Sequence, residues 1–134
     1  MKKFQKILFI SFFCLFALIG STSSVSAANN WAGFDYVSIG LTFKRFGLAA
    51  FHTTVFPSKD SYYSKTNMKL QRYSGGKWHT LSNGTFGDTS INMYNRNYYV
   101  TKGYTYRVYS TVTIYKSKGG KKINSDTFIY KKKY

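Results

Sequence analysis

The chain has 134 residues, with 20 Lys and Arg against 4 acids, all Asp, for a formal net charge of +16. Its length suits a single domain, and its one Cys can neither close a disulfide within the chain nor build a cysteine zinc site. Aromatic residues make up 20% of the chain, which supplies the apolar area that a wholly disordered protein lacks.

Residues 1–27 read as a secretory signal peptide. Lys2, Lys3 and Lys6 precede an apolar run from Ile7 to Ile19, and Val25-Ser26-Ala27 offers the small groups that signal peptidase requires. Cleavage is expected after Ala27. The run is shorter than the roughly 20 residues that span hydrocarbon, which disfavours a membrane anchor. Cys14 sits in mid-run behind the bulky Phe12 and Phe13, which disfavours lipidation. The remaining residues, 28–134, keep 17 basic residues and all four Asp, a net charge of +13, and no Cys. An exported chain of this kind is held by its core alone, and its 13 Tyr, 7 Phe and 2 Trp can provide one.

Period-two alternation dominates the rest of the chain. Val37, Ile39, Leu41 and Phe43 alternate with small and polar residues, and Lys44-Arg45 marks a turn. Leu48 to Phe56 is a second strand, stopped by Pro57. Met68 and Leu70 open a third. Ser74-Gly75-Gly76-Lys77 is a hairpin turn, after which Trp78 to Leu81 returns. Ile91 to Tyr94 is a weaker strand. The longest runs from Tyr104 to Tyr115, with Tyr104, Tyr106, Val108, Ser110, Val112 and Ile114 on one face. Thr105, Arg107, Tyr109, Thr111, Thr113 and Tyr115 share the other. Ser117 to Lys122 turns the chain at Gly119-Gly120, and Ile123 to Tyr130 pairs back. About seven short strands without a helical period predict an all-β fold, a single antiparallel β-sandwich, with a small barrel as the alternative. Asn29 to Ala32 and Lys131 to Tyr134 are expected to be mobile ends.

Leu70-Gln71-Arg72-Tyr73-Ser74-Gly75-Gly76-Lys77-Trp78-His79-Thr80-Leu81 forms one strand–turn–strand signature. Gly103-Tyr104-Thr105-Tyr106-Arg107-Val108, followed by a Gly-Gly turn, forms another. Together they resemble a group of small secreted Gram-positive proteins with an immunoglobulin-like sandwich and no assigned function. The resemblance covers about residues 70–130 and implies fold and compartment. It transfers no site residue. Tyr104 or Tyr106 is placed to make a tyrosine-corner bond back to the backbone.

Little in the sequence points to catalysis, and the chain is expected not to be an enzyme. Glycoside hydrolysis generally wants two carboxylates flanking one bond, whereas Asp35, Asp60, Asp88 and Asp126 are scattered. The two histidines, His52 and His79, with a lysine, are the one combination able to cleave RNA by acid–base catalysis, and they set up a secreted nuclease as the least favoured reading. Two histidines fall short of the three or four ligands of a metal site. No Gly-x-Ser-x-Gly elbow and no phosphate-binding glycine loop occurs, so neither a cofactor nor a metal is expected.

The charge is the informative feature, because an excess of this size exceeds what solubility needs and opposes compactness by self-repulsion. Lys116, Lys118, Lys121 and Lys122 cluster at one hairpin tip, and Lys131, Lys132 and Lys133 come near the C-terminus. If the last two strands pair, the tail lies at the end opposite that tip. These seven lysines are the candidate polyanion-binding residues. In the extracellular space of a Gram-positive cell the abundant anions are teichoic acids and anionic lipid headgroups, with extracellular DNA a third and less favoured partner. Lysine outnumbers arginine 13 to 4 after residue 27, which suits diffuse contact with a polyanion over base-specific readout. The leading expectation is a secreted, non-enzymatic binder of anionic envelope polymers or an anionic membrane surface. The alternative is a secreted antibacterial protein or toxin acting on neighbouring cells.

Overall fold

A computed structural model describes residues 31–134, so the signal segment read at 1–27 and the residues Asn29 and Asn30 lie outside the described residues. Seven strands succeed one another: β1 (Phe34–Phe43), β2 (Leu48–Pro57), β3 (Tyr63–Ser74), β4 (Lys77–Thr89), β5 (Asn92–Tyr99), β6 (Thr105–Tyr115) and β7 (Lys122–Lys133). They form two antiparallel sheets, one in the order β1-β2-β5 and the other in the order β4-β3-β6-β7.

The alternation read from the sequence sets which sides face each other. Val37, Ile39 and Leu41 of β1 and Ala49, Phe51 and Val55 of β2 are buried from the first sheet. Met68 and Leu70 of β3, Tyr106, Val108, Val112 and Ile114 of β6 and Phe128 of β7 meet them from the second. Burying a large apolar side chain of this kind stabilises by roughly 1.5–3 kcal/mol each, offset by the entropy of ordering it. Across the middle of this core the Thr53 and Ser110 hydroxyls hydrogen-bond to each other at 2.6 Å, joining the sheets where both groups are out of water.

Turn chemistry is as expected at Gly75 and Gly76, whose φ values of 59° and 78° give the β3–β4 hairpin the positive torsions of its two-residue loop. Tyr106, and not Tyr104, makes the bond back to the backbone. The Thr101 N–H donates to its hydroxyl at 3.1 Å, and that hydroxyl donates to the Thr101 carbonyl at 2.5 Å.

Several boundaries differ from the sequence reading. β3 begins at Tyr63, so Met68 and Leu70 lie in its middle. β4 runs on to Thr89, and β5 spans Asn92–Tyr99 in place of Ile91 to Tyr94. Neither described end is a mobile tail. Lys131, Lys132 and Lys133 pair with Arg107, Tyr106 and Thr105, so β7 continues through them. Tyr134 stacks on Phe43 with ring centroids 4.4 Å apart, and its backbone exchanges hydrogen bonds with Gly103 and Tyr104. Trp31 packs its ring against Phe34 and Phe128, and the Ala32 carbonyl accepts from the Asn124 side chain.

Candidate functional site

The antiparallel register sorts the charged residues by their height along the strands. A plane through the Thr53–Ser110 hydrogen bond also passes through Met68 and, in β7, Phe128. On one side of it lies the β6–β7 turn, closed by the Lys116 N–H to the Lys121 carbonyl at 2.9 Å. On the other side lies the C-terminus, beside the β1–β2, β3–β4 and β5–β6 connections.

The seven candidate lysines are all exposed, and the β6–β7 hairpin holds them in two groups at opposite ends. Lys116, Lys118, Lys121 and Lys122 share their half of the molecule with Lys59, Lys65 and all four Asp. Asp88 and Asp126 there each accept the backbone N–H of the next residue at 2.7 Å. The charge of that half therefore largely cancels.

Among the described residues the C-terminal half contains no acidic side chain. Lys131, Lys132 and Lys133 stand at the end of β7, an edge strand. Lys44 and Arg45 begin the β1–β2 turn, Lys102 lies in the β5–β6 connection, and Lys77 comes directly after the β3–β4 turn. Lys69, Arg72, Arg96 and Arg107 occupy the strands below them. Like charges brought this close with no acidic side chain among them raise the local positive potential. Sequence spacing pointed to the tail lysines. It did not join them to Lys44, Arg45 and Lys102, because only the fold brings those two connections to the end of β7.

The strand cations are partly committed to aromatic rings. The Arg107 guanidinium lies 4.2 Å from the Trp78 ring centroid and 5.0 Å from that of Tyr109, and its Nε donates to the Gln71 side chain at 2.7 Å. Burial pushes its pKa down, with the phenol of Tyr109 acting in the opposite sense, and an arginine remains charged after such a shift. Arg72 covers Tyr104 at 4.7 Å, and Lys132 approaches the Phe43 ring at 6.0 Å. Lys44, Arg45 and Lys102 line an open depression of about 830 Å³ together with Phe46, Gly47, Val100, Thr101 and Tyr134, and the Lys102 ammonium lies 5.6 Å from the Tyr134 ring centroid. This hollow is the candidate site.

The outward face of β6 carries Thr105, Arg107, Tyr109, Thr111, Thr113 and Tyr115, as its alternation required, but neighbouring strands leave these residues only half-exposed. The histidines are not brought together. His52 sits on the outer face of the β1-β2-β5 sheet, with its ring beside Ser38. His79 is on β4 of the other sheet, within 3.0 Å of the Ser74 carbonyl. Among the described residues no group of three or more His, Cys, Asp or Glu could hold a metal ion. No known protein family matches this chain, and no curated protein matches its sequence.

Proposed function

We propose that this protein is a secreted, non-enzymatic β-sandwich that binds phosphate-rich anionic polymers or surfaces of the cell envelope through its acid-free end. The observation that carries this reading is the polarity of the charge. The four Asp side chains sit in one half, while the other gathers lysines and arginines from two connections and five strands. Lys44, Lys102, Lys131, Lys132 and Lys133 make the contacts as point charges on phosphodiesters, and Arg45 adds a planar guanidinium fork. The lysines of the 116–122 tip add long-range attraction. The two histidines, held on different sheets, support a binding role over catalysis.

The fold is read further as immunoglobulin-like. The orders β1-β2-β5 and β4-β3-β6-β7 agree with a Greek-key sandwich in which the fourth strand joins the sheet of the last two strands. Tyr106, near the start of the sixth strand and bonded to Thr101 upstream, stands where a tyrosine corner stands. Secretion rests on the leader at 1–27.

The test is co-sedimentation of the purified protein with Gram-positive cell walls, native and stripped of teichoic acid, and with phosphatidylglycerol vesicles, over a salt series. Binding should fall steeply as salt shortens the screening length from about 10 Å at 0.1 M. Loss of wall binding on stripping identifies the wall polymer, and retention on vesicles identifies the lipid. Salt-insensitive binding, or none to either, overturns the proposal.

A further inference from the structure

Phe46 is the most exposed large apolar residue of the described chain, at 93% of its full surface. It occupies the apex of the β1–β2 turn in the left-handed region, with φ 60° and ψ 27°. L-residues avoid that conformation, and bulky ones avoid it most. Two costs therefore meet at one residue: an aromatic ring held in water and a backbone that disfavours it.

The turn is also stiff. The Lys44 N–H donates to the Leu48 carbonyl at 2.8 Å and closes its neck. The Gly47 carbonyl accepts from Val100 at 2.7 Å, and a Cβ on Gly47 would stand 2.6 Å from the Val100 carbonyl oxygen. Phe46 is thus presented on a fixed support, between Arg45 and a glycine pressed against the neighbouring connection. Lys44, Arg45 and Lys102 surround it. Tyr99, 72% exposed, ends β5 opposite Leu48 on the same side of the molecule.

We infer that this turn is a wedge that inserts Phe46 into the anionic lipid bilayer while the surrounding cations hold the headgroups. The inference rests on the acid-free end being the binding end and names the lipid as its partner. A teichoic acid chain is hydrated throughout and offers no apolar phase to receive a phenyl ring. A bilayer does, directly beneath the phosphates. A basic side chain near an anionic membrane surface adds about 1 kcal/mol of attraction, and tyrosines such as Tyr99 favour the headgroup level. The proposed contact is one of loops with a single leaflet; among the described residues no helix is long and apolar enough to cross a membrane.

The experiment compares native protein with Phe46→Asn and Phe46→Trp on vesicles of phosphatidylglycerol with phosphatidylcholine, on phosphatidylcholine alone, and on teichoic acid-bearing walls. Asn tolerates the left-handed region better than Phe, so Phe46→Asn should melt no lower than native. It should partition about tenfold more weakly onto the anionic vesicles, in line with the apolar area withdrawn from lipid, and pellet with walls as native does. Phe46→Trp should keep vesicle binding, and its emission should shift to the blue on anionic vesicles. Native-like vesicle binding by Phe46→Asn, or an unshifted Phe46→Trp, overturns the wedge and leaves the charge-based function standing. Native binding to walls but not to vesicles likewise overturns the lipid assignment alone. Binding to neither overturns both.

Discussion

Tyr106 concentrates several demands on one side chain. Its ring is fully buried against Phe43, at a centroid distance of 5.6 Å, while its hydroxyl satisfies both the N–H and the carbonyl of Thr101. Replacing it with Phe keeps the ring and leaves two backbone groups unpaired, which should cost about 1–3 kcal/mol, measured by urea unfolding at neutral pH. Burial pushes the phenol above its ordinary value of 10.0, against the lowering effects of the Thr101 bond and the Arg72 guanidinium. The folded state thus holds this proton more tightly than the unfolded chain does. The stability it contributes is complete below pH 10 and is lost as pH rises through the higher folded value. Tyr106→Phe should therefore be less stable at neutral pH and should decline less steeply than native above pH 10. Parallel curves would remove Tyr106 from the alkaline transition.

At the scale of the strand, the C-terminal segment is structural as well as charged. Tyr134 stacks on Phe43 with planes 15° apart, and its backbone ties the β5–β6 connection to the end of β7. Tyr134→Ala should cost about 1–2 kcal/mol through lost stacking and burial, read as a lower urea midpoint with an unchanged slope. A neutral result would restore the mobile tail that the lysine run suggested. That misreading has a plain cause. A terminal strand takes its backbone partners from β6, and its exposed lysines show no hydrophobic alternation. Lysines on a sheet edge also discourage pairing with another chain. Missing alternation also hid the start of β3, whose first inward residues are the buried Ser64 and Thr66, and the second half of β4, which is polar and lies on an edge. By contrast, β6 is central and packs Tyr106, Val108, Val112 and Ile114 inward about Ser110, so its alternation from Tyr106 to Ile114 was legible residue by residue. At the candidate site, the tail lysines could be read as a run. Phe46 could not, since nothing in Lys44-Arg45-Phe46-Gly47 says whether the ring turns inward or out. Its outward direction follows from the turn's own conformation, which leaves it exposed.

For the whole molecule, the arrangement of charge matters more than its amount. A sandwich with acidic side chains in one half and none in the other should approach an anionic surface with a preferred orientation, because its positive potential is strongest at the end without them. Two variants of identical net charge separate this from simple charge attraction. In one, Lys116, Lys118, Lys121 and Lys122 become Gln. In the other, Lys44, Arg45, Lys102 and Lys131 do. All eight positions are exposed, so both variants should fold as native. If net charge alone governs binding, both lose affinity for anionic vesicles or walls equally. The polarity predicts a larger loss for the second, by about 1 kcal/mol for each contacting cation, or roughly a hundredfold or more across the set. It also predicts a shallower dependence on salt for that variant, since fewer counterions are exchanged on binding. The first variant should retain most of its affinity and bind more slowly, because the tip it alters serves long-range attraction and stands away from the contact. Equal losses would place the contact on no particular end, and a greater loss in the first variant would move it to the 116–122 tip.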